Sequence, residues 1–198
     1  MQFDQNNVEE QARSLMREWV DSESLRIHCE SVAASMRHMA RKHGADEALW
    51  SAVGLLHDFD YQRYPNLELS DDAHPFVGVA YLREHGWPEE ITRAILSHAD
   101  YSGVSRDTLM EKTLFACDEL SGFVYAVALV RPTRSIHDVE VKSVKKKLKD
   151  KDFAAKINRS DITQGAEELR VPIDELIGDV IAALRADAGR LGLQGTAA

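Results

Sequence analysis

The spacing of the apolar residues restricts the fold of this chain more than any other feature. Apolar residues recur at intervals of three and four along most of the sequence, an interval that places them on one face of an α-helix. In the first such segment they are Val8, Ala12, Leu15 and Trp19. No segment alternates apolar and polar residues between hairpin turns, as a half-buried β-strand would. The sequence therefore predicts an all-α fold.

Turn and capping signals predict where the helices end. The two longest predicted helices cover about residues 23–43, before a glycine, and about residues 107–130, before a proline. Asp46 is expected to cap the helix that leads into the segment GLLHDFD. The chain shows no internal repeat and no low-complexity linker. We predict a helical core in residues 1–130 and a C-terminal helical extension, residues 131–198, packed on that core.

The bulk composition is that of a soluble globular protein. Of the 198 residues, 44% are hydrophobic and 29% are charged. The formal net charge of -9 argues against general nucleic-acid binding, which depends on Lys and Arg neutralising phosphates. The segment MQFDQNNVEEQARSLM lacks the features of an export signal, and the longest apolar run, GFVYAVALV, is far shorter than the roughly 20 residues that span a bilayer. We expect a cytoplasmic protein that does not bind membranes.

Two aspartates fall within stretches that are otherwise apolar. Asp58 follows the run GLLH, and Asp118 interrupts the stretch TLFACDELSGF. A buried carboxylate is unfavourable unless it is paired, hydrogen-bonded or bound to a metal ion. The chain must therefore supply partners for both carboxylates from other segments.

Four histidines are placed where they could be those partners. His57 directly precedes Asp58, and His28 belongs to the second predicted helix. His74 precedes a predicted helix, and His98 ends one. Each histidine taken alone is more often a hydrogen-bonded core residue than a ligand. Together with the two aspartates they would suit a pair of divalent cations, with iron, manganese, cobalt, nickel or zinc favoured over calcium by this mixture of ligands.

In chain order, four of these residues resemble the motif of the HD-domain superfamily of metal-dependent phosphohydrolases. That motif is a first His, an adjacent His-Asp pair and a distant Asp, which here are His28, His57, Asp58 and Asp118. The stretches GLLHDFD and FACDELSG also resemble the usual surroundings of the doublet and of the last aspartate. The resemblance covers about residues 22–130 and implies an HD-domain helical bundle. The region from Arg131 onward resembles, more narrowly, uncharacterised bacterial HD proteins with a VKSVKKKLKD segment.

Two further histidines extend the resemblance to family branches with a two-metal centre. They are His74 in HPFVG and His98 in AILSH, both between the doublet and the last aspartate. The implied ligands of one ion are His28, His57, Asp58 and Asp118, and those of a second are His74, His98 and a bridging Asp58. One or two divalent ions, Fe, Mn, Co, Ni, Zn or Mg, would activate a water molecule. The implied substrate is a small phosphomonoester or nucleotide-like phosphoester, with Asp58 and His57 as catalytic residues.

Three basic residues are candidates for binding the anionic substrate. Lys142 and Lys145 lie on one side of a predicted helix, in a segment with more Lys and Arg than Asp and Glu. Arg63 follows the His-Asp doublet on a predicted loop. The alternative interpretation of the two lysines is a solvated helix face, and it stays open.

Two other functions are compatible with the same motif. Some HD-type di-iron centres resemble this ligand set and act as oxygenases, and an HD fold can also be a non-catalytic ligand-sensing module. The cyclic-dinucleotide phosphodiesterase branch is disfavoured because no Gly-Tyr-Pro loop follows the histidines. The complete ligand set argues against the non-catalytic alternative, since a purely structural domain has no need of two buried aspartates.

Overall fold

The computed structural model describes residues 2–195. Residue 1 of the predicted core and residues 196–198 of the predicted C-terminal extension lie outside the described residues. Within residues 2–195 the fold is all-α, as predicted, with no β-strand and one isolated bridge between Ser135 and Gln194. The nine α-helices of this part are α1 (Val8–Trp19), α2 (Glu23–His43), α3 (Glu47–Leu56), α4 (Phe76–Glu84), α5 (Glu89–His98), α6 (Leu109–Leu129), α7 (Val141–Leu148), α8 (Arg159–Leu169) and α9 (Ile173–Ala186).

The helix ends follow from local capping interactions. Asp46 caps α3 as predicted, because its side chain accepts hydrogen bonds from the backbone N–H groups of Ala48 and Leu49. Helix α2 ends at Gly44, whose φ of 66° is in the left-handed region that favours glycine. Helix α6 begins with a reciprocal capping box between Thr108 and Glu111.

Helix α2 is the centre of the bundle and packs against α3, α6 and α9. The contact with α3 is close at Gly54, where an added Cβ would lie 2.7 Å from the Cα of Ala33. A larger residue there would push the two helices apart. Gly54 therefore keeps the C-terminal end of α3, and the His-Asp doublet that follows it, next to the N-terminal half of α2.

Residues C-terminal to position 130 share the hydrophobic core with the rest of the bundle. Helix α8 packs on α6, and α9 packs on α2 and α6. At Gly165 of α8, an added Cβ would lie 2.5 Å from the Cα of Ala116, so these helices also approach closely. The division of the chain at residue 130 stays a prediction. No helix within residues 2–195 combines the length and the apolar character needed to cross a bilayer.

Candidate metal centre

Six side chains from five places in the bundle converge at one point. Helix α2 contributes His28 from its second turn, and the chain directly after α3 contributes His57 and Asp58. The other three residues are His74 just before α4, His98 at the end of α5 and Asp118 in the middle of α6. These are the six residues that the sequence analysis selects as metal ligands, and the structure brings all of them together.

The first half of the cluster contains His28, His57 and Asp118. The Nε2 atom of His28 lies 3.0 Å from Oδ1 of Asp118, and that of His57 lies 3.4 Å from the same oxygen. The two Nε2 atoms are 3.1 Å apart. Three potential ligand atoms therefore surround one small volume.

Asp58 lies between this half and a second pair of histidines. Its Oδ1 atom is 3.2 Å from Nε2 of His74 and 3.5 Å from Nε2 of His98. Its Oδ2 atom is 3.7 Å from Nε2 of His28 and 3.6 Å from Nε2 of His57. One carboxylate thus presents one oxygen to each histidine pair, which is the position of a bridging ligand.

The orientation of the imidazole rings is fixed from outside the cluster. Nδ1 of His57 lies 2.8 Å from the carbonyl oxygen of Gly54, and Nδ1 of His98 contacts the carbonyl oxygen of Ile95. A neutral imidazole that donates Nδ1–H to a carbonyl carries its lone pair on Nε2. In their neutral form, in which a metal ion would bind them, both rings therefore direct a lone pair into the cluster.

This donor set fits a cation. Within the described residues, the Nε2 atoms of His74 and His98 lie 3.3 Å apart and those of His28 and His57 lie 3.1 Å apart. The other close neighbours of these four atoms in the cluster are carboxylate oxygens. Atoms that all accept hydrogen bonds repel one another at such distances unless protons or metal ions lie between them. Imidazole nitrogen with carboxylate oxygen is a ligand mixture that suits divalent transition metals.

Without a metal ion, protons compensate the charge of the cluster. Burial lowers the pKa of His57, but the negative charges of Asp58 and Asp118 outweigh this effect and raise the pKa to about 9. Burial also lowers the pKa of His74, but the hydrogen bonds to Asp58 and Asp60 outweigh this effect and raise that pKa to about 9. Burial raises the pKa of Asp58, but the positive charge on His57 and hydrogen bonds from His74 and His98 hold that pKa well below its usual range.

Asp60 belongs to the same site but is not among the residues predicted from the sequence. It is fully buried, and its Oδ1 atom accepts a hydrogen bond from Nδ1 of His74 at 2.7 Å. Its Oδ2 atom accepts a hydrogen bond from the backbone N–H of Gly78, also at 2.7 Å. The carboxylate therefore anchors His74 to the start of α4 and turns Nε2 of that ring toward Asp58. Its only signal in the sequence is a second aspartate in GLLHDFD, two residues after the first.

Asp60→Asn should weaken the binding of a divalent ion by about 10- to 100-fold, the usual effect of losing a carboxylate that orients a histidine ligand. Asparagine has one acceptor oxygen, so either His74 or Gly78 would face an amide NH₂ group instead of an acceptor. Competition with a chelator of known affinity measures the change. Asp71→Asn, at an exposed position of the following loop, is the matched control. Equal affinities for the two variants would show that the orientation of His74 does not depend on Asp60.

The cluster opens into a cavity of about 600 Å³. The wall of this cavity includes the apolar or aromatic side chains of Tyr61, Leu67, Phe115 and Ile157. Leu67 is 58% exposed, so an apolar surface lies at the cavity mouth. The cavity has room for a small organic group in addition to an anion held at the cluster.

Charged residues other than the six also line the cavity. Glu119 is one, and burial together with the charge of Asp118 raises its pKa to about 7. Asp161 accepts a hydrogen bond from the side chain of Asn158 at 2.8 Å, and Asp100 pairs with Arg106. Among the described residues, the one lysine or arginine on the cavity wall is Lys156.

The three basic residues selected from the sequence as substrate ligands lie elsewhere. Lys142 is exposed and pairs with Glu140, while Lys145 pairs with Asp174 of α9. The guanidinium group of Arg63 donates hydrogen bonds to the backbone oxygens of Trp19 and Glu18 and stacks on the Trp19 ring. None of the three lines the cavity. Arg63 instead holds the chain after the doublet against the end of α1.

Comparison with known protein families agrees with this geometry. A family model described as the HD domain matches residues 25–122, a range that contains all six clustered residues. The chain belongs to the HD-domain superfamily, as the motif predicted. Members of this family are mostly metal-dependent hydrolases, and the histidine and aspartate groups found here could hold a divalent metal. No solved structure matches the chain.

Proposed function

We propose that this protein is a metal-dependent phosphohydrolase that acts on a small phosphomonoester or nucleotide-like phosphoester. The observation that carries the proposal is the position of Asp58, with one carboxylate oxygen toward each of two histidine pairs. Membership of the HD-domain superfamily supports the reaction class. The neighbouring cavity of about 600 Å³ supports a small substrate.

Two groups of side chains would hold the ions. The first group is His28, His57, Asp58 and Asp118, and the second is Asp58, His74 and His98. When bound, a pair of divalent ions lowers the pKa of coordinated water and neutralises negative charge on the phosphoryl oxygens. His57 and Asp58 contribute to the reaction as ligands in this proposal.

The remaining residues prepare the site without taking part in bond cleavage. Asp60 and the carbonyl oxygens of Gly54 and Ile95 hold three imidazole rings with Nε2 directed inward, so little reorganisation is needed when substrate binds. The hydroxyl group of Tyr101 donates a hydrogen bond to the backbone oxygen of His74 and fixes the loop after α5 at the cavity. The apolar wall that includes Phe115 reduces the access of water around the organic part of the substrate.

A substrate screen tests the proposal. We expect protein supplemented with Mn²⁺, Co²⁺, Mg²⁺ or Fe²⁺ to release phosphate from at least one member of a panel of phosphomonoesters, cyclic nucleotides and dinucleoside polyphosphates. The same activity should persist under anaerobic conditions with a redox-inert ion. Activity that requires both iron and dioxygen would instead show an oxygenase. No turnover with any member by fully metal-loaded protein would contradict the proposal.

A further inference from the structure

Lys156 differs from the other lysines of the C-terminal part of the chain in its surroundings. It lies in the turn between α7 and α8 and lines the cavity that leads to the metal centre. Lys142, Lys145 and Lys147 each form an ion pair with a carboxylate. Lys156 forms no ion pair with any described residue; the same holds for Lys146, Lys149 and Lys151, but of these four lysines Lys156 is the one that lines the cavity. Its ammonium group is therefore available to an anion that enters the cavity.

The turn that carries Lys156 is held in place by Arg159. The guanidinium group of Arg159 donates hydrogen bonds to four backbone oxygens, those of Leu148, Asp150, Phe153 and Ile157. The ring of Phe153 packs edge-on against Phe123 of α6, with ring centroids 5.5 Å apart. Because these contacts fix the backbone on both sides of Lys156, this residue lines the cavity from a defined backbone position.

The carboxylates that line the cavity make it unfavourable for a phosphate unless a positively charged side chain is also present. Glu119 and Asp161 line the same cavity and would repel a phosphate dianion. The ions held by the six-residue cluster compensate the charge close to them, but the outer oxygens of a phosphoryl group would face these carboxylates. A positive group on the same wall offsets that repulsion, and within the described residues Lys156 is the one lysine or arginine placed there.

We propose that Lys156, a residue outside the matched HD-domain segment, binds the phosphoryl oxygens that face away from the metal centre and so selects substrates with a terminal phosphate. The inference rests on the proposed phosphohydrolase function. The C-terminal part of the chain then completes the active site in addition to packing on the bundle. A substrate with a doubly charged terminal phosphate is favoured over a phosphodiester, because the second negative charge strengthens the contact with the ammonium group.

Binding of inorganic phosphate to the Mn²⁺-loaded protein tests the inference directly. In Lys156→Ala, we expect the Kd for phosphate, measured by calorimetry, to rise by about tenfold, since a hydrogen bond to a charged group is lost. The KM for a phosphomonoester should rise by a similar factor, while kcat stays within about twofold. Lys156→Arg keeps the charge and should recover most of the affinity. Manganese content should be the same in all variants.

Lys151→Ala is the matched control, because Lys151 is exposed in the same turn but does not line the cavity. It should leave the Kd for phosphate unchanged. An unchanged Kd in Lys156→Ala, or an equal rise in both variants, would overturn the inference even if the wild-type enzyme is a phosphohydrolase. A wild-type protein that turns over no phosphoester would contradict the proposed function, while the calorimetric comparison would still decide whether Lys156 binds phosphate.

Discussion

Asp58→Asn should reduce phosphohydrolase activity by at least about 1000-fold and lower the metal content of the purified protein to half of the wild-type content or less. Within residues 2–195, Asp58 is the one residue whose carboxylate oxygens approach all four histidines of the cluster. Asparagine has nearly the same volume but carries no charge and has one oxygen, so it cannot bridge two ions. A loss of about 4 kcal/mol of transition-state stabilisation corresponds to this factor, and metal-ion catalysis supplies several kcal/mol.

Elemental analysis of protein purified without chelator measures the metal content, and circular dichroism verifies that the helical fold is kept. Asp21→Asn is a suitable control because Asp21 is exposed and lies outside the cluster. It should retain wild-type metal content and activity. If Asp58→Asn keeps the wild-type metal content and loses less than tenfold in activity, the catalytic metal site must lie elsewhere in the protein.

The sequence predicts the fold well because local rules determine its helices. The three- and four-residue spacing and the caps at Asp46 and Gly44 depend on residues close together in the chain, and the structure has helices where these signals predict them. The convergence of the six cluster residues is different in kind. Helical periodicity does not predict that His74 and His98 lie next to Asp58. The resemblance to the family motif does predict it.

The cation on the cavity wall was not predictable by the same means. Lys142 and Lys145 are candidates because they lie on one side of a predicted helix. Their spacing does not specify whether that side faces the cavity or the solvent. In the structure that face is exposed, and Lys145 reaches α9. Lys156 lies in an irregular turn without periodicity. Its place at the cavity depends on contacts of Arg159 and Phe153 that form only in the folded chain.

The metal-free protein should become less stable as the pH rises from 7 to 9, whereas the metal-loaded protein should not. The pKa values of His57 and His74 rise from the ordinary 6.5 to about 9 on folding. The folded state therefore binds protons that the unfolded chain has released, so this stabilisation is complete below pH 6.5 and is lost as the pH rises through 9. The free energy of unfolding should fall by up to about 1.4 kcal/mol per pH unit for each histidine.

Other titrating groups of the cluster act outside this range. The pKa of Glu119 is raised to about 7, so its effect on stability falls between pH 4.5 and 7. The pKa values of Asp58 and Asp118 are lowered, so their stabilisation is lost only in acid, below the ordinary value of 3.8. Burial raises the pKa of the Cys29 and Cys117 thiols above the ordinary 9.0, so these two groups begin to lower the stability as the pH approaches 9. The slope between pH 7 and 9 therefore reports on the two histidines and, toward pH 9, also on these thiols.

The same protons compete with the metal ion, which binds the deprotonated imidazole. The affinity for Mn²⁺ should consequently increase by about tenfold per pH unit for each histidine that must lose a proton between pH 7 and 9. Urea unfolding with and without metal, and calorimetric titration in buffers of different ionisation enthalpy, measure the slope and the protons released. Asp118→Asn removes one of the charges that raise the pKa of His57 and should flatten the metal-free slope. A flat slope in the wild-type metal-free protein would mean that protons do not occupy the place of the metal ions between His57, His74 and the carboxylates.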